Sequence, residues 1–200
     1  MKYLKAIGLI AVVALVFSCA ANPPQKDIDA ANQAFANVQA AKADVYAPTE
    51  FQAAQDAKNA LDAELAAQAA KTSGKSYRKT ADLVKALNAA DKTALDAATA
   101  NMATFKNDVA TLITDSQTAL TTVQSELQAA TKSPRLAYKA KLNLKTLTAQ
   151  VAADQQAITD GSAANDSQDY ATAKTKLSAA KDDLTQIQGQ LEAAGYKAAQ

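Results

Sequence analysis

Apolar side chains recur every three or four residues along most of this chain, a spacing that is typical of amphipathic helices. No segment shows the alternation of apolar and polar residues that would predict a strand instead. The periodic residues fall into five segments, roughly 26–46, 48–72, 76–132, 134–160 and 170–194. The chain is therefore predicted to be all-α.

Residues that begin or end helices stand between the first four segments. Pro48 suits the first turn of a helix, where its missing N–H would have no partner in any case. Gly74 can close the second helix in the left-handed conformation, and Ser76 can cap the third. Ser133 followed by Pro134 predicts an N-cap and first turn for the fourth helix.

The fourth helix is predicted to end at Gly161, and the fifth to be capped by Asp166 with Asp169 and closed by Gly195. Between these marks the fifth segment has the most regular pattern, with alternating steps of three and four that form a heptad seam. Apolar positions of the first segment are Ile28, Ala31, Phe35, Val38 and Val45, and those of the fifth are Tyr170, Ala173, Leu177, Ala180, Leu184, Ile187, Leu191 and Ala194.

The lengths of the segments predict how they pack. A helix over 76–132 would be about 85 Å long, and the second and fourth helices about 40 Å each. Two short helices can lie antiparallel along the long one, and the first and fifth can complete a bundle at each end. This gives an elongated antiparallel bundle resembling tandem spectrin-like repeats, with domains 26–105 and 106–200 that share the long helix. The alternative is a compact six-helix body with a break near Asn107-Asp108 or Thr114–Ser116.

The N-terminus has the pattern of a bacterial secretion signal. Residues 1–5 are short and basic, and residues 6–17 are apolar except for Gly8. About a dozen apolar residues fit a signal peptide, whereas a membrane-spanning helix needs about 20. Residues 1–18 are therefore predicted to be a signal peptide. Residues 19–25, which contain Pro23-Pro24, are predicted to be a short tether.

The end of this segment, Val16-Phe17-Ser18-Cys19, resembles the lipobox of bacterial lipoproteins. The resemblance implies cleavage between Ser18 and Cys19 and lipidation of Cys19, the only cysteine of the chain. Ala20 after the cysteine implies sorting to the outer membrane, with the body facing the periplasm. The alternatives are ordinary secretion with cleavage near Ser18-Cys19-Ala20, and retention of the apolar segment as an anchor.

A second resemblance involves the junction Tyr46-Ala47-Pro48 and the alanines that flank it at helical spacing. The stretch 29–70 resembles a family of bacterial lipoproteins that carry an Ala-rich helical domain of unknown function. This resemblance implies an envelope lipoprotein with an antiparallel helical hairpin and no established chemistry. Tyr77, Tyr138 and Tyr170 also stand early in predicted helices, where a tyrosine can plug a bundle end while its hydroxyl reaches water.

Composition argues against several functions. The formal net charge is +1, and the chain has no histidine. A near-neutral body argues against nucleic-acid binding, which needs clustered basic residues. Without histidine the commonest general base and zinc ligand are missing, so we expect no enzyme, no catalytic residues and no cofactor.

Two charged clusters are better explained by solvation and capping than by ligands. The acidic stretch around Gly161 lacks the spacing of a recognisable calcium loop, so no metal site is predicted. The basic cluster is expected to be a solvated face. The acidic residues are Asp154, Asp160, Asp166 and Asp169, and the basic ones are Lys139, Lys141 and Lys145.

The sequence favours a non-catalytic scaffold that is anchored to the membrane through its N-terminal lipid. Envelope proteins or peptidoglycan are the expected partners, and nucleic acid is not. The alternative is a helical bundle that opens to carry an apolar ligand. A carrier would show ligand-dependent melting, whereas a scaffold would co-purify with envelope components.

Overall fold

The structure, a computed structural model, describes residues 22–197, in which seven helices and no strand occur. The prediction of an all-α chain is confirmed. The predicted signal peptide (1–18), Ser18 and Cys19 lie outside the described residues. The helices are α1 (Gln25–Ala40), α2 (Ala43–Tyr46), α3 (Pro48–Ala69), α4 (Arg78–Lys132), α5 (Pro134–Lys139), α6 (Leu144–Asp166) and α7 (Tyr170–Ala193).

The long central helix α4 has 55 residues and is continuous. Its length is therefore about 80 Å. It passes through Asn107-Asp108 and Thr114–Ser116 without a break, so the compact six-helix alternative is wrong. Its buried positions follow steps of mostly three and four along one seam, with small or polar side chains at many of them. They are Thr80, Val84, Leu87, Asp91, Ala94, Ala98, Val109, Ser116, Val123, Glu126, Leu127 and Ala130.

Helices α1 and α3 form a hairpin against the N-terminal half of α4. The Asn101 side chain donates to the backbone carbonyl of Tyr46 at 2.7 Å, and Glu64 pairs with Lys79 at 2.9 Å, so α3 runs antiparallel to α4. The rings of Phe35 and Phe51 stack at 6.1 Å, which fits a helix α1 that folds back along α3. The described chain therefore begins beside the N-terminal half of α4.

Helices α6 and α7 pack on the C-terminal half of α4. Lys174 pairs with Asp108 and Lys181 with Asp115, each at 2.6 Å, so α7 runs parallel to α4 in constant register. Helix α6 connects α5 to α7, and it runs antiparallel to α4 and α7, the two helices that it packs against. The predicted division into domains 26–105 and 106–200, which share the long helix, stays a prediction.

Two predicted helices are each interrupted by a lysine in the left-handed conformation. Lys42 has φ 52° and separates α1 from α2, and Lys141 has φ 58° and follows α5. The prediction that Val45 lies in the core is wrong: it is 45% exposed, whereas Ala43 and Tyr46 are buried. The change in chain direction at Lys42 rotates the last turn and presents different side chains to α4.

The start of α4 differs from the prediction that Ser76 caps it. The N-cap residue is Tyr77, and its side chain makes no capping hydrogen bond. The backbone N–H of Ser76 instead donates to the side-chain oxygen of Gln68 at 3.1 Å, and Gln68 donates to Glu64 at 2.7 Å. Hydrogen bonds from Lys79 and Gln68 lower the pKa of Glu64. This network fastens the connection between α3 and α4.

The prediction that Gly161 ends the fourth helix is wrong, because α6 continues to Asp166. A Cβ added at Gly161 would lie 2.8 Å from Leu177 Cγ, so the glycine lets α6 approach α7 closely. Asp166 is the last residue of α6 and not a cap. Asp169 alone caps α7, accepting from the backbone N–H of Thr172 at 3.4 Å.

The core prediction for the last helix is confirmed almost completely. Its predicted seam residues from Tyr170 to Leu191 are buried in the structure, and only Ala194 is partly exposed. Gly195 closes the helix with φ 93°, as its position predicts. Because apolar residues recur in this helix at alternating steps of three and four without a gap, its pattern alone determined the buried face.

Candidate interaction surface at the end of the rod

Helix α5 and the turn after it lie at the end of α4 that is opposite to the start of the described chain. Both hairpin turns, at residues 41–47 and 167–169, lie near the middle of α4. From that level α1 extends about 24 Å in one direction, and the C-terminal half of α4 about 40 Å in the other. About 65 Å of helix therefore separates Gln25 from Ser133 along the rod. We call residues 132–145 the distal surface.

The distal surface is held in place by the end of α7. The Tyr196 hydroxyl donates to the backbone carbonyl of Ser133 at 2.6 Å and accepts from the backbone N–H of Ala137 at 2.9 Å. The left-handed Lys141 then ends α5, with the N–H of Leu142 donating to the carbonyl of Ala137 at 2.9 Å. Such a helix ending satisfies carbonyls that would otherwise lack partners. The backbone of the distal surface is thus fixed.

The distal surface is strongly basic, although the whole chain is nearly neutral. Between Glu126 and Asp154 the chain has five basic residues and no acidic one. Each of the six described ion pairs uses a lysine outside this stretch. The nearby end of α7 adds one residue of each charge, Glu192 and Lys197. The five basic residues, all exposed, are Lys132, Arg135, Lys139, Lys141 and Lys145.

The distal surface also exposes large apolar side chains. Tyr138 is 86% exposed and Leu136 is 42% exposed, and among the described residues only Val45 and Leu95 are exposed large hydrophobics elsewhere. The idea that Tyr138 plugs a bundle end is therefore wrong, whereas Tyr170 is buried. Tyrosine with a neighbouring arginine is a composition enriched at protein interfaces.

A groove of about 770 Å³ lies between α5 and the first turn of α6. Its apolar lining includes Pro134, Tyr138, Leu142 and Leu144, and Lys139 and Lys141 also line it. This volume is in the range that holds a small ligand or a few side chains of a partner. The predicted basic cluster thus forms part of a built surface, because Lys139 and Lys141 flank an apolar depression.

The acidic stretch is dispersed by the structure. Asp154 lies within α6 and is 6% exposed, Asp160 pairs with Lys176 at 3.2 Å, and Asp169 caps α7. Burial, with a smaller contribution from the charge of Asp183, raises the pKa of Asp154 to about 6. Hydrogen bonds from Gln156 and Lys176 lower the pKa of Asp160. Within residues 22–197 no group of three or more His, Cys, Asp or Glu side chains is placed to hold a metal ion.

Sequence reasoning missed another buried carboxyl, that of Asp91 on the seam of α4. It is 2% exposed, and neither of its carboxyl oxygens has a hydrogen-bond partner. Burial raises its pKa to about 6. The signal was present in the sequence, because Asp91 lies midway between Leu87 and Ala94 at heptad spacing. Asp91 and Asp154 lie on different halves of the rod, so they do not form one site.

Comparisons with protein-family models, with curated proteins and with solved structures find no significant match to this chain. The resemblance to Ala-rich bacterial lipoproteins therefore stays a prediction from residues 16–19 and 46–48. Among the described helices, none combines the length and the apolar character needed to cross a membrane. The distal surface is the candidate functional site because it combines charge, exposed aromatic area and a groove.

Proposed function

We propose that this protein is a lipid-anchored, non-catalytic scaffold of the bacterial envelope, which holds a contact surface away from the membrane. In this proposal Cys19 is acylated after cleavage at Ser18, at the outer membrane and facing the periplasm. The tether to Gln25 is short, so the membrane lies near the N-terminal half of α4. The distal surface is then the part of the described protein that lies farthest from the anchor.

One observation carries this proposal: an unbroken helix of 55 residues connects the half of the rod near the N-terminus to the distal surface. A continuous helix that packs against other helices along its length keeps its two ends at a fixed separation, because bending it would disrupt packing on both halves. Many of the buried positions of α4 hold small or polar side chains, so the seam of the central helix encloses little large apolar volume. Such an architecture suits spacing and contact better than enclosure of a ligand.

The anchor is tested by intact mass measurement of the protein purified from its own cells. We expect a mature chain that begins at Cys19 and carries several acyl chains, since one chain alone gives only marginal membrane binding. The Cys19→Ser variant should carry no acyl chain in the same measurement, whereas the Ser18→Ala variant, which keeps a small residue at the cleavage site, should carry the same acyl chains as the parent protein. A mature chain that begins at Ala21 without fatty acid contradicts the proposal.

The spacer role is tested by changing the length of the rod. Deletion of one heptad from the C-terminal half of α4, 109–115, together with matching heptads of α6 and α7, shortens the rod by about 10 Å. We expect a folded, anchored protein with reduced recovery of envelope components after crosslinking in cells. Unchanged recovery would argue against a spacer. Native mass measurement that finds a bound apolar molecule would favour the carrier alternative instead.

A further inference from the structure

Charge is distributed unevenly between the distal surface and the remainder of the rod. All twenty acidic residues lie outside the stretch 127–153, in which the five basic residues of the distal surface lie. A positive end on an otherwise acidic rod selects a negative partner, because opposite potentials accelerate encounter and like charges repel wrong partners. The partner of the distal surface is therefore acidic.

The apolar lining of the groove indicates which class of acidic partner fits the distal surface. Pro134, Tyr138, Leu142 and Leu144 line the groove together with Lys139 and Lys141, so apolar and basic side chains are adjacent in it. Interfaces between proteins have this arrangement, an apolar centre with a polar rim, and tyrosine and arginine are frequent among their energetically important residues. A segment with an apolar side chain between carboxylates could insert that side chain into the groove and pair its carboxylates with the lysines.

Other anionic partners use these features less completely. A glycan strand offers carboxylates and flat sugar faces but no large apolar group for a depression lined by Leu142 and Leu144. An anionic membrane would favour a broad apolar face lying in the interface plane. The apolar residues here line a concave groove at about 65 Å from the start of the described chain. A second copy of this chain would fit only through an acidic segment that has an exposed apolar side chain. The stretch around Val45 is the candidate segment, and the crosslinking experiment below distinguishes it from a segment of another protein.

We infer that the distal surface is a docking site for an acidic segment of another protein, which inserts an apolar side chain between Pro134, Tyr138 and Leu144 while its carboxylates pair with Lys139 and Lys141. This inference rests on the proposed function, in which the distal surface is the contact end of the scaffold. It adds the chemistry of the partner, which the scaffold proposal leaves open.

The test is photocrosslinking in the native cells with benzoylphenylalanine at Tyr138, and at Leu95 as the matched exposed apolar control. We expect an adduct from position 138 that is absent from position 95. Mass spectrometry should locate the crosslink in a protein segment that is rich in Asp and Glu and contains a large apolar residue. An adduct with peptidoglycan, with lipid or with a second copy of this chain would overturn the inference, as would no adduct.

Charge reversal provides the second arm. Lys139→Glu with Lys141→Glu should reduce the crosslink at least tenfold and weaken binding of a synthetic copy of the crosslinked segment at least tenfold. Lys85→Glu with Lys106→Glu is the matched control, since both lysines are exposed on α4 and the change in net charge is identical. Circular dichroism melting confirms that both double variants fold. Equal binding by the two double variants contradicts the inference.

The two proposals fail in different ways. If the mature chain begins at Ala21 without fatty acid but the crosslink from position 138 behaves as expected, the anchor is wrong and the docking site stands. If the mature chain is acylated but position 138 captures no acidic segment, the anchor stands and the docking site is wrong.

Discussion

The Lys174 ammonium lies 4.5 Å from the centre of the Phe105 ring, and the same lysine pairs with Asp108 at 2.6 Å. Tyr46 contacts Phe105 from the other hairpin in an edge-to-face arrangement, with ring centres 5.4 Å apart. Phe105 in the middle of α4 therefore contacts residues from both hairpins. This contact joins the two halves of the rod beyond their common helix.

The contribution of the Lys174–Phe105 contact can be isolated with a matched lysine. Lys174 and Lys181 pair with Asp108 and Asp115 at equal distances and with nearly equal exposure, but of these two lysines it is Lys174 that lies over an aromatic ring. We expect Lys174→Met to reduce the free energy of unfolding by about 0.5–1 kcal/mol more than Lys181→Met does, the size of an exposed cation–π contact. Urea unfolding followed by circular dichroism measures the difference. Equal losses would show that the ring adds nothing.

Two glycines within helices should respond to alanine in opposite directions. At Gly161 a new Cβ would lie 2.8 Å from Leu177 Cγ, so α6 and α7 must separate or Leu177 must move. We expect Gly161→Ala to destabilise the protein by about 1–3 kcal/mol through overpacking. At Gly189 a Cβ meets no atom within 4 Å, so Gly189→Ala should stabilise the helix by about 0.5–1 kcal/mol. Thermal melting of the two variants, if shifted in the same direction, would contradict this packing.

Removal of single hydroxyls tests how the distal surface is held. Tyr196→Phe removes the donor to Ser133 and the acceptor for Ala137, both in buried or partly buried positions. We expect a loss of about 1–2 kcal/mol and faster amide hydrogen exchange at Ala137. Tyr138→Phe is the control, because the Tyr138 side chain is 86% exposed. This substitution should change neither the free energy of unfolding nor the exchange rate of the Ala137 amide. Protection of the Ala137 amide that survives Tyr196→Phe would show that α5 is held by other contacts.

The buried carboxyl of Asp91 should make stability depend on pH. Burial raises its pKa from the usual 3.8 to about 6 in the folded protein. Between these values the folded state therefore binds more protons than the unfolded state. The contribution of the protonated Asp91 carboxyl to stability is lost as pH rises from about 4 to about 6.

Substitution by the neutral isostere removes this loss. We expect Asp91→Asn to be more stable than the parent protein at pH 7 by about 1–2 kcal/mol, after allowance for screening by solvent, and equal to it near pH 4. Urea unfolding at both pH values measures this. Asp56→Asn, at an exposed position of α3, is the matched control. A variant that is less stable than the parent at pH 7 would mean that the carboxylate has a favourable partner.

The positions of helix ends show where sequence reasoning succeeded and failed. Pro48 and Gly195 marked ends correctly because proline and glycine have backbone preferences that neighbours rarely override. Lys42, Lys141 and Gln168 adopt left-handed conformations without any such residue-type signal. At Lys42 the adjacent contact of Tyr46 with Phe105 can offset the strain of the left-handed conformation, and such a contact between helices is not visible in the sequence.

The sequence by itself determined the helical class, the long continuous helix and the buried face of α7, because these depend on local propensity and on periodic spacing within one segment. The tertiary structure decided the role of Gly161, the burial of Asp91 and Asp154, and the distal surface. Each of these depends on which residue of another helix stands opposite. Leu177 faces Gly161, and Tyr196 holds α5 so that Tyr138 is exposed beside a groove. The spacing of residues along one helix does not reveal which residue of the neighbouring helix stands opposite, and only the packing of the helices decides it.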